Sequence, residues 1–167
     1  MTTRSFDNIP QFVAFLAGVS ASMPVARRKA LEIGCQIIET EAKRVLGTYD
    51  YHWPELADST KADRVHQGYP ANEPGLRSGE MRDSIEHVVR DIGFLETEGQ
   101  VGSNEDKAVF FELGTSRQPA RSFLVGAAMK KSDAVEAAIG RTIGITFDSG
   151  GMSSSGVPFN PIGFTVR

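Results

Sequence analysis

Two short runs of this chain read as strands: Ile85–Ile92, with Val88 and Val89, and the segment holding Leu95, Thr97 and Val101. The other periodic stretches repeat apolar residues in threes and fours, as helices do. A lone pair of neighbouring strands leaves few options. It forms an antiparallel hairpin, and helices must cover at least one of its faces. The expected class is α+β, a small hairpin-based antiparallel sheet packed against a long N-terminal helix and a C-terminal helix. Asp91-Ile92-Gly93 and Glu98-Gly99 are both candidates for the turn.

Asp7 or Asn8 is placed to cap a short first helix, with Pro10 in its opening turn. Ile9, Phe12, Val13 and Leu16 recur there at helical spacing, which reads as an amphipathic docking helix. A secretory leader fits less well, because Asp7, Asn8 and Pro10 interrupt the run-in and Arg4 is the only basic residue before it. No apolar run is expected to reach the ~20 residues of a membrane span. Ser22 followed by Pro24 predicts a second, longer helix that runs to about Leu46 and stops at Gly47. Leu31, Cys35, Ile38, Ala42 and Val45 share its apolar face, which Ile33 and Ile37 widen enough to meet a sheet or several neighbours.

Between Thr48 and Gly75 the periodicity breaks. Tyr49, Tyr51 and Trp53 alternate beside Pro54, a short helix starts at Asp58 or Ser59, and Tyr69-Pro70 and Glu73-Pro74-Gly75 mark turns. The aromatics of so long a connection either pin it to the core or anchor a partner, and the pattern serves both readings equally. Ser103 or Asn104 then starts a helix through Phe111 that ends at Gly114. A last helix from about Arg121 to Ile143 buries Leu124, Ala127, Ala128, Val135, Ala138 and Ile139. Residues 1–147 thus form one domain with a long aromatic loop at 48–75. Residues 148–167 form a flexible Gly/Ser-rich arm, on which Phe159 and Phe164 are candidate anchors.

Catalytic chemistry is not evident. A net charge of −3 and a pI near 5.6 provide no basic footprint for a dedicated nucleic-acid binder. The single cysteine, Cys35, excludes an internal disulfide and a cysteine-based zinc cluster. His52, His66 and His87 lack ligand spacing, and neither a phosphate-binding loop nor a nucleophile elbow is present. A protein without enzymatic activity, cofactor or metal is expected. One carboxylate stands apart. Glu112 lies between Phe111 and Leu113 near a helix end, where the macrodipole disfavours negative charge by a few tenths to ~1 kcal/mol. Either it points to water or it pairs with a cation, for which Arg77, Arg82, Arg117 and Arg121 are the candidates, within the subunit or in the next one.

Leu76-Arg77-Ser78-Gly79-Glu80-Met81-Arg82-Asp83-Ser84-Ile85 resembles a signature of small tailed-bacteriophage proteins of the head–tail joining, neck and tail-completion family. Members of that family are also described as minor tail components or virion morphogenesis proteins. Phe110-Phe111-Glu112-Leu113-Gly114-Thr115, then Pro119 and Phe123-Leu124, is similar to the family's aromatic-x-glutamate-x-glycine-threonine and proline-phenylalanine-leucine block. Trp53-Pro54 with Leu56 and Thr60 is similar to an upstream segment of some members. The resemblance covers about the middle half of the chain. Residue 81 is Met where a fuller capping box has Glu or Gln, and the C-terminal arm is longer than the family pattern.

The resemblance implies a non-catalytic virion component, made in the host bacterial cytoplasm, that assembles as a homo-oligomeric ring with connector or tail-tube proteins. DNA would pass nearby without specific binding, and no membrane would be involved. The candidate assembly interface is Tyr51, Trp53, Arg77, Arg82, Glu112, Arg117, Arg121, Phe159 and Phe164. Two other readings stand beside it: a metal-dependent hydrolase using His52 and His66, and a small peptide-binding module with the Tyr49–Trp53 loop as its site.

Overall fold

The computed structural model describes residues 5–93 and 96–148. The protein is α+β, as expected, but its N-terminal part is one helix where the sequence predicts two. Helix α1 spans Ile9–Val45 and contains Pro24. Asn8 caps it, its side-chain oxygen accepting from the Gln11 amide at 3.0 Å. Ser22 caps nothing. Its hydroxyl donates back to the carbonyls of Gly18 and Val19, at 3.1 and 3.0 Å. A proline inside a helix removes a backbone hydrogen bond and costs about 3 kcal/mol or more. Val19 and Ala26 on either side of it are buried, and that packing keeps the turn helical.

This continuity corrects a second expectation. No Asp, Glu, Lys or Arg occurs between Ile9 and Ala26. Helix α1 accordingly holds an 18-residue window of mean hydropathy 1.5, long and apolar enough by composition to cross a membrane.

Helix α2 (Asp58–His66) starts where expected, although Ala57 at its cap position supplies no side-chain oxygen. A single turn, α3 (Glu80–Asp83), leads into the hairpin of β1 (Ile85–Gly93) and β2 (Glu96–Ser103). The strands pair antiparallel from Ile85↔Ser103 to Gly93↔Glu96, with an irregularity between Asp91 and Gly93. Glu98-Gly99 is not the turn but part of β2, opposite Arg90 and Val89. Helix α4 (Asp106–Leu113) follows. Neither Ser103 nor Asn104 caps it; the Ser103 hydroxyl instead accepts from the Glu105 amide at 3.1 Å. Helix α5 (Leu124–Asp148) begins later and runs further than predicted.

Both the hairpin and α5 pack on α1. Helix α5 runs antiparallel to it: Gly126 lies under the Tyr51 ring, Lys131 reaches Glu41, and Val135 and Ile139 meet Gly34. Ala127 and Ala138 are the buried positions of α5, while Leu124, Ala128, Val135 and Ile139 are half-buried. On the other flank Gly99 lets β2 lie against Cys35, where any Cβ would sit 2.5 Å from its sulfur. Polar contacts hold the rest of the hairpin. Arg28 pairs with Asp91 and donates to the Val89 carbonyl, both at 3.2 Å, and Arg27 donates to Thr97 at 3.0 Å. His87 bridges Glu39 and Glu32, and the hydrogen bond to Glu39 raises its pKa despite partial burial.

One apolar core joins these elements. Val45, Ile85 and Phe123 are fully buried within it, each contributing roughly 1.5–3 kcal/mol. Trp53 stands edge-on between Tyr51 and Phe111, and Phe111 in turn meets Phe123. Phe159, Phe164 and nearly all of the expected arm at 148–167 lie outside the described residues.

Candidate functional site

The segments that resemble the phage family meet around Phe111, and most of their polar residues serve as joints within the subunit. Glu112 is the clearest. Its Oε2 accepts from the amides of Phe123 and Leu124 at 2.7 and 2.9 Å, and its Oε1 accepts from Val125 at 3.0 Å. The carboxylate therefore caps the start of α5, where orphan amides and the positive end of the helix dipole converge. Within the subunit these amides stand where an arginine partner is one expectation. Among the described residues Glu112 makes no ion pair, and the helix N-terminus supplies the positive charge.

The next residues make that cap possible. Gly114 has φ +77, and a Cβ there would sit 2.6 Å from the Ala120 amide nitrogen. The chain then folds into a tight turn in which Thr115 and Gln118 bond through their backbones, while the Thr115 hydroxyl accepts from the Gln118 amide at 3.1 Å. Arg117 is exposed at the tip of this turn. Arg121 is buried and leaves it.

Two buried arginines shape the 48–75 connection. Arg121 donates through Nε and Nη2 to the Pro54 carbonyl, at 3.1 and 2.9 Å, and through Nη2 to that of Glu55 at 3.2 Å. Its guanidinium also lies 5.9 Å from the Phe111 ring centre. Arg64, on α2, donates through Nη1 to the Glu73 carbonyl at 2.8 Å and to those of Pro70 and Leu76 at 3.4 Å. Burial lowers the pKa of both. Their fork of donors satisfies several carbonyls at once, which a single ammonium does less well.

The aromatics of the connection point the same way. Trp53 is buried, the Tyr51 hydroxyl donates to Glu41 at 3.1 Å, and the Tyr49 hydroxyl donates to Asn72 at 2.5 Å. Of the two roles open to them from sequence, these contacts pin the loop to its own domain. Glu41, also buried, accepts from Arg44 at 2.7 and 2.9 Å and faces Lys131 at 3.4 Å. Chiefly because of Arg44, its pKa is held at about 2. Neither Glu41 nor Arg64 stands out in the sequence, where each is one more charge on a helix.

Arg77 and Arg82 remain at the surface. Arg77 bonds Asp63 at 3.0 Å and Gln67, and lies 5.2 Å from the Tyr69 ring centre. Arg82 pairs with its neighbour Asp83, at 3.2 Å. A groove of about 600 Å³ separates the Gly75–Met81 segment from α4 and the 117–121 turn, lined by Arg77, Lys107, Phe110 and Arg117 among others. A shallower cavity of about 670 Å³ opens beside Tyr51, His52 and Met129. His52 is exposed with φ +55, and His66 is exposed at the end of α2. Among the described residues, no three His, Cys, Asp or Glu side chains gather as a metal site would require. No protein-family model, curated protein or solved structure matches this chain.

Proposed function

We propose that this chain is a structural virion protein of a tailed phage, acting as a ring at the head–tail junction or tail end alongside connector or tail-tube proteins. The hairpin carries this reading. Its strands are nine and eight residues long, one face rests on α1, and the other presents Glu86, Val88 and Arg90 opposite Gly102, Gln100 and Glu98. Among the described residues no third strand covers either edge. Long open edges are templates for strands of another chain, and charged side chains on the open face hinder indiscriminate pairing. A subunit built this way stays soluble alone and gains a sheet when copies align. A small formal charge of −3 suits a passage through which DNA slides, since binding phosphates would demand many Lys and Arg contacts.

The motif residues support the reading in another way. Glu112, Gly114 and Arg121 make one stiff wedge out of α4, the turn and the start of α5, which is useful for holding an interface in register. The groove beside Phe110 favours one other reading, a small peptide-binding module. Gold-labelled antibody against the protein is expected to mark the head–tail junction or tail end of particles from the source strain. Deleting the gene is expected to leave heads and tails unjoined or tails unfinished. Normal infectious particles that lack the protein would refute the proposal.

A further inference from the structure

Helix α1 is about 55 Å long at 1.5 Å per residue, and α5 covers only part of it. Val135 and Ile139 sit against Gly34, and nine residues remain from Ile139 to Asp148. At equal rise, α5 therefore ends level with about residue 25 of α1. The first four turns project beyond it. Ile9, Phe12, Val13 and Leu16 form one stripe there, exposed at 77, 45, 56 and 45%. The stripe continues the buried face that carries Val19, Ala26 and Ala30. Phe6 folds back onto Phe12 and Phe15 at 5.3 and 5.2 Å, which staples the tip of the helix in place.

A second apolar surface lies at the other end of the long axis. Helix α4 exposes Val109, Phe110 and Leu113, and the start of α5 exposes Val125 and Met129; Leu113 and Met129 are each 74% exposed. The three amides bonded to Glu112 hold these two helix ends side by side. We infer that the projecting stripe of α1 in one copy seats on the α4–α5 apolar face of the next copy.

Three observations favour a second copy of this chain as the occupant. The two surfaces belong to one molecule, are both apolar, and stand at opposite ends. They differ in shape, a single helix against a two-helix face, so their contact is head-to-tail, the kind that closes into rings or extends into filaments. Together these nine side chains expose on the order of 1,000 Å², at the lower edge of what specific association needs. Such a contact is weak in solution and strengthens when a template aligns the copies. A membrane suits the stripe less well. Gln11, Ser20 and Ser22 interrupt the apolar run, and the charged hairpin is tied to the next turn by Arg27 and Arg28. The contact takes its setting from the ring reading, yet it is a property of the purified chain and is measured without particles.

The test uses the full chain in sedimentation velocity over a wide concentration range, with Phe12→Asp and Met129→Asp as variants. Both positions are exposed, so both variants are expected to keep the wild-type circular dichroism. Wild type should gain mass with concentration, and each variant alone should need at least tenfold more protein to do so. An equimolar mixture of the two should form a one-to-one dimer and grow no further, because only one intact pair of surfaces remains. Wild type that stays monomeric throughout overturns the inference, as does a Met129→Asp variant that associates normally. Binding to neutral or anionic vesicles that is lost in Phe12→Asp and kept in Met129→Asp overturns it in favour of a lipid surface. If association follows the expected pattern but particles lack the protein, the virion reading fails and the contact stands.

Discussion

Replacing Glu112 by alanine removes the acceptor of three amides at the start of α5. Loss of an ordinary helix cap costs about 1 kcal/mol, with a range of roughly 0.5–2. Here the cap is charged and nearly buried, and the Phe123 amide that it serves is buried too. Leaving such a donor unpaired adds about 1–3 kcal/mol. Losing the charge at the helix end adds up to ~2 kcal/mol. These contributions overlap, so the expected loss for Glu112→Ala is about 3–4 kcal/mol. In a chain of this length that lowers Tm by roughly 10 °C. Glu112→Gln keeps one acceptor but turns amide hydrogens toward the backbone donors, and should cost about 2 kcal/mol. Urea unfolding followed by circular dichroism measures both. Arg117→Ala and Arg82→Ala serve as controls and should stay within about 0.5 kcal/mol of wild type. A loss below about 1 kcal/mol in Glu112→Ala, or an equal loss in Arg117→Ala, would refute the assignment of the helix end as its partner.

His87 gives stability a dependence on neutral pH. Its pKa is raised in the folded protein, so its contribution is complete below its ordinary value near 6.5 and fades as pH rises through the higher folded value. His87→Phe should flatten that slope in urea midpoints collected from pH 6 to 9; an unchanged slope counts against the bridge to Glu39 and Glu32. Glu41 acts at the acid end. Held at about 2, its contribution is complete above the ordinary value of 4.5 and is lost as pH falls toward 2. Thermal melts of Glu41→Gln should therefore be less pH-sensitive than wild type across that interval. Arg121→Lys keeps the charge but not the fork that reaches both Pro54 and Glu55, and is expected to cost about 2 kcal/mol. Limited proteolysis should then cut the 48–75 connection faster than in wild type, and equal rates would show that Arg121 does not hold it.

The hairpin and the late helix were readable because alternation and spacing of apolar side chains are local facts. Their partners were not. Ser22 and Pro24 spell a helix start, and only the burial of Val19 and Ala26 keeps the turn around them helical. Glu112 was recognisable as a charge in need of a positive partner, but that partner is a backbone terminus eleven residues on. Placing the start of α5 at Arg121, three residues early, hid the amides of Phe123, Leu124 and Val125. Arg64 gave no signal, since it lies on a short polar helix and its acceptors are main-chain carbonyls spread over Pro70, Glu73 and Leu76.

Those carbonyl contacts have a consequence for how the surface can change. Arg64 and Arg121 grip the path of the connection and not the side chains along it. Glu55, Pro70 and Leu76 supply only their backbone oxygens to these arginines. Many outward-facing residues between 55 and 72 are therefore free to be replaced without moving the chain. A connection moulded from inside in this way works as a fixed mount with interchangeable facing, and new contact specificities can arise on it while the fold beneath stays the same.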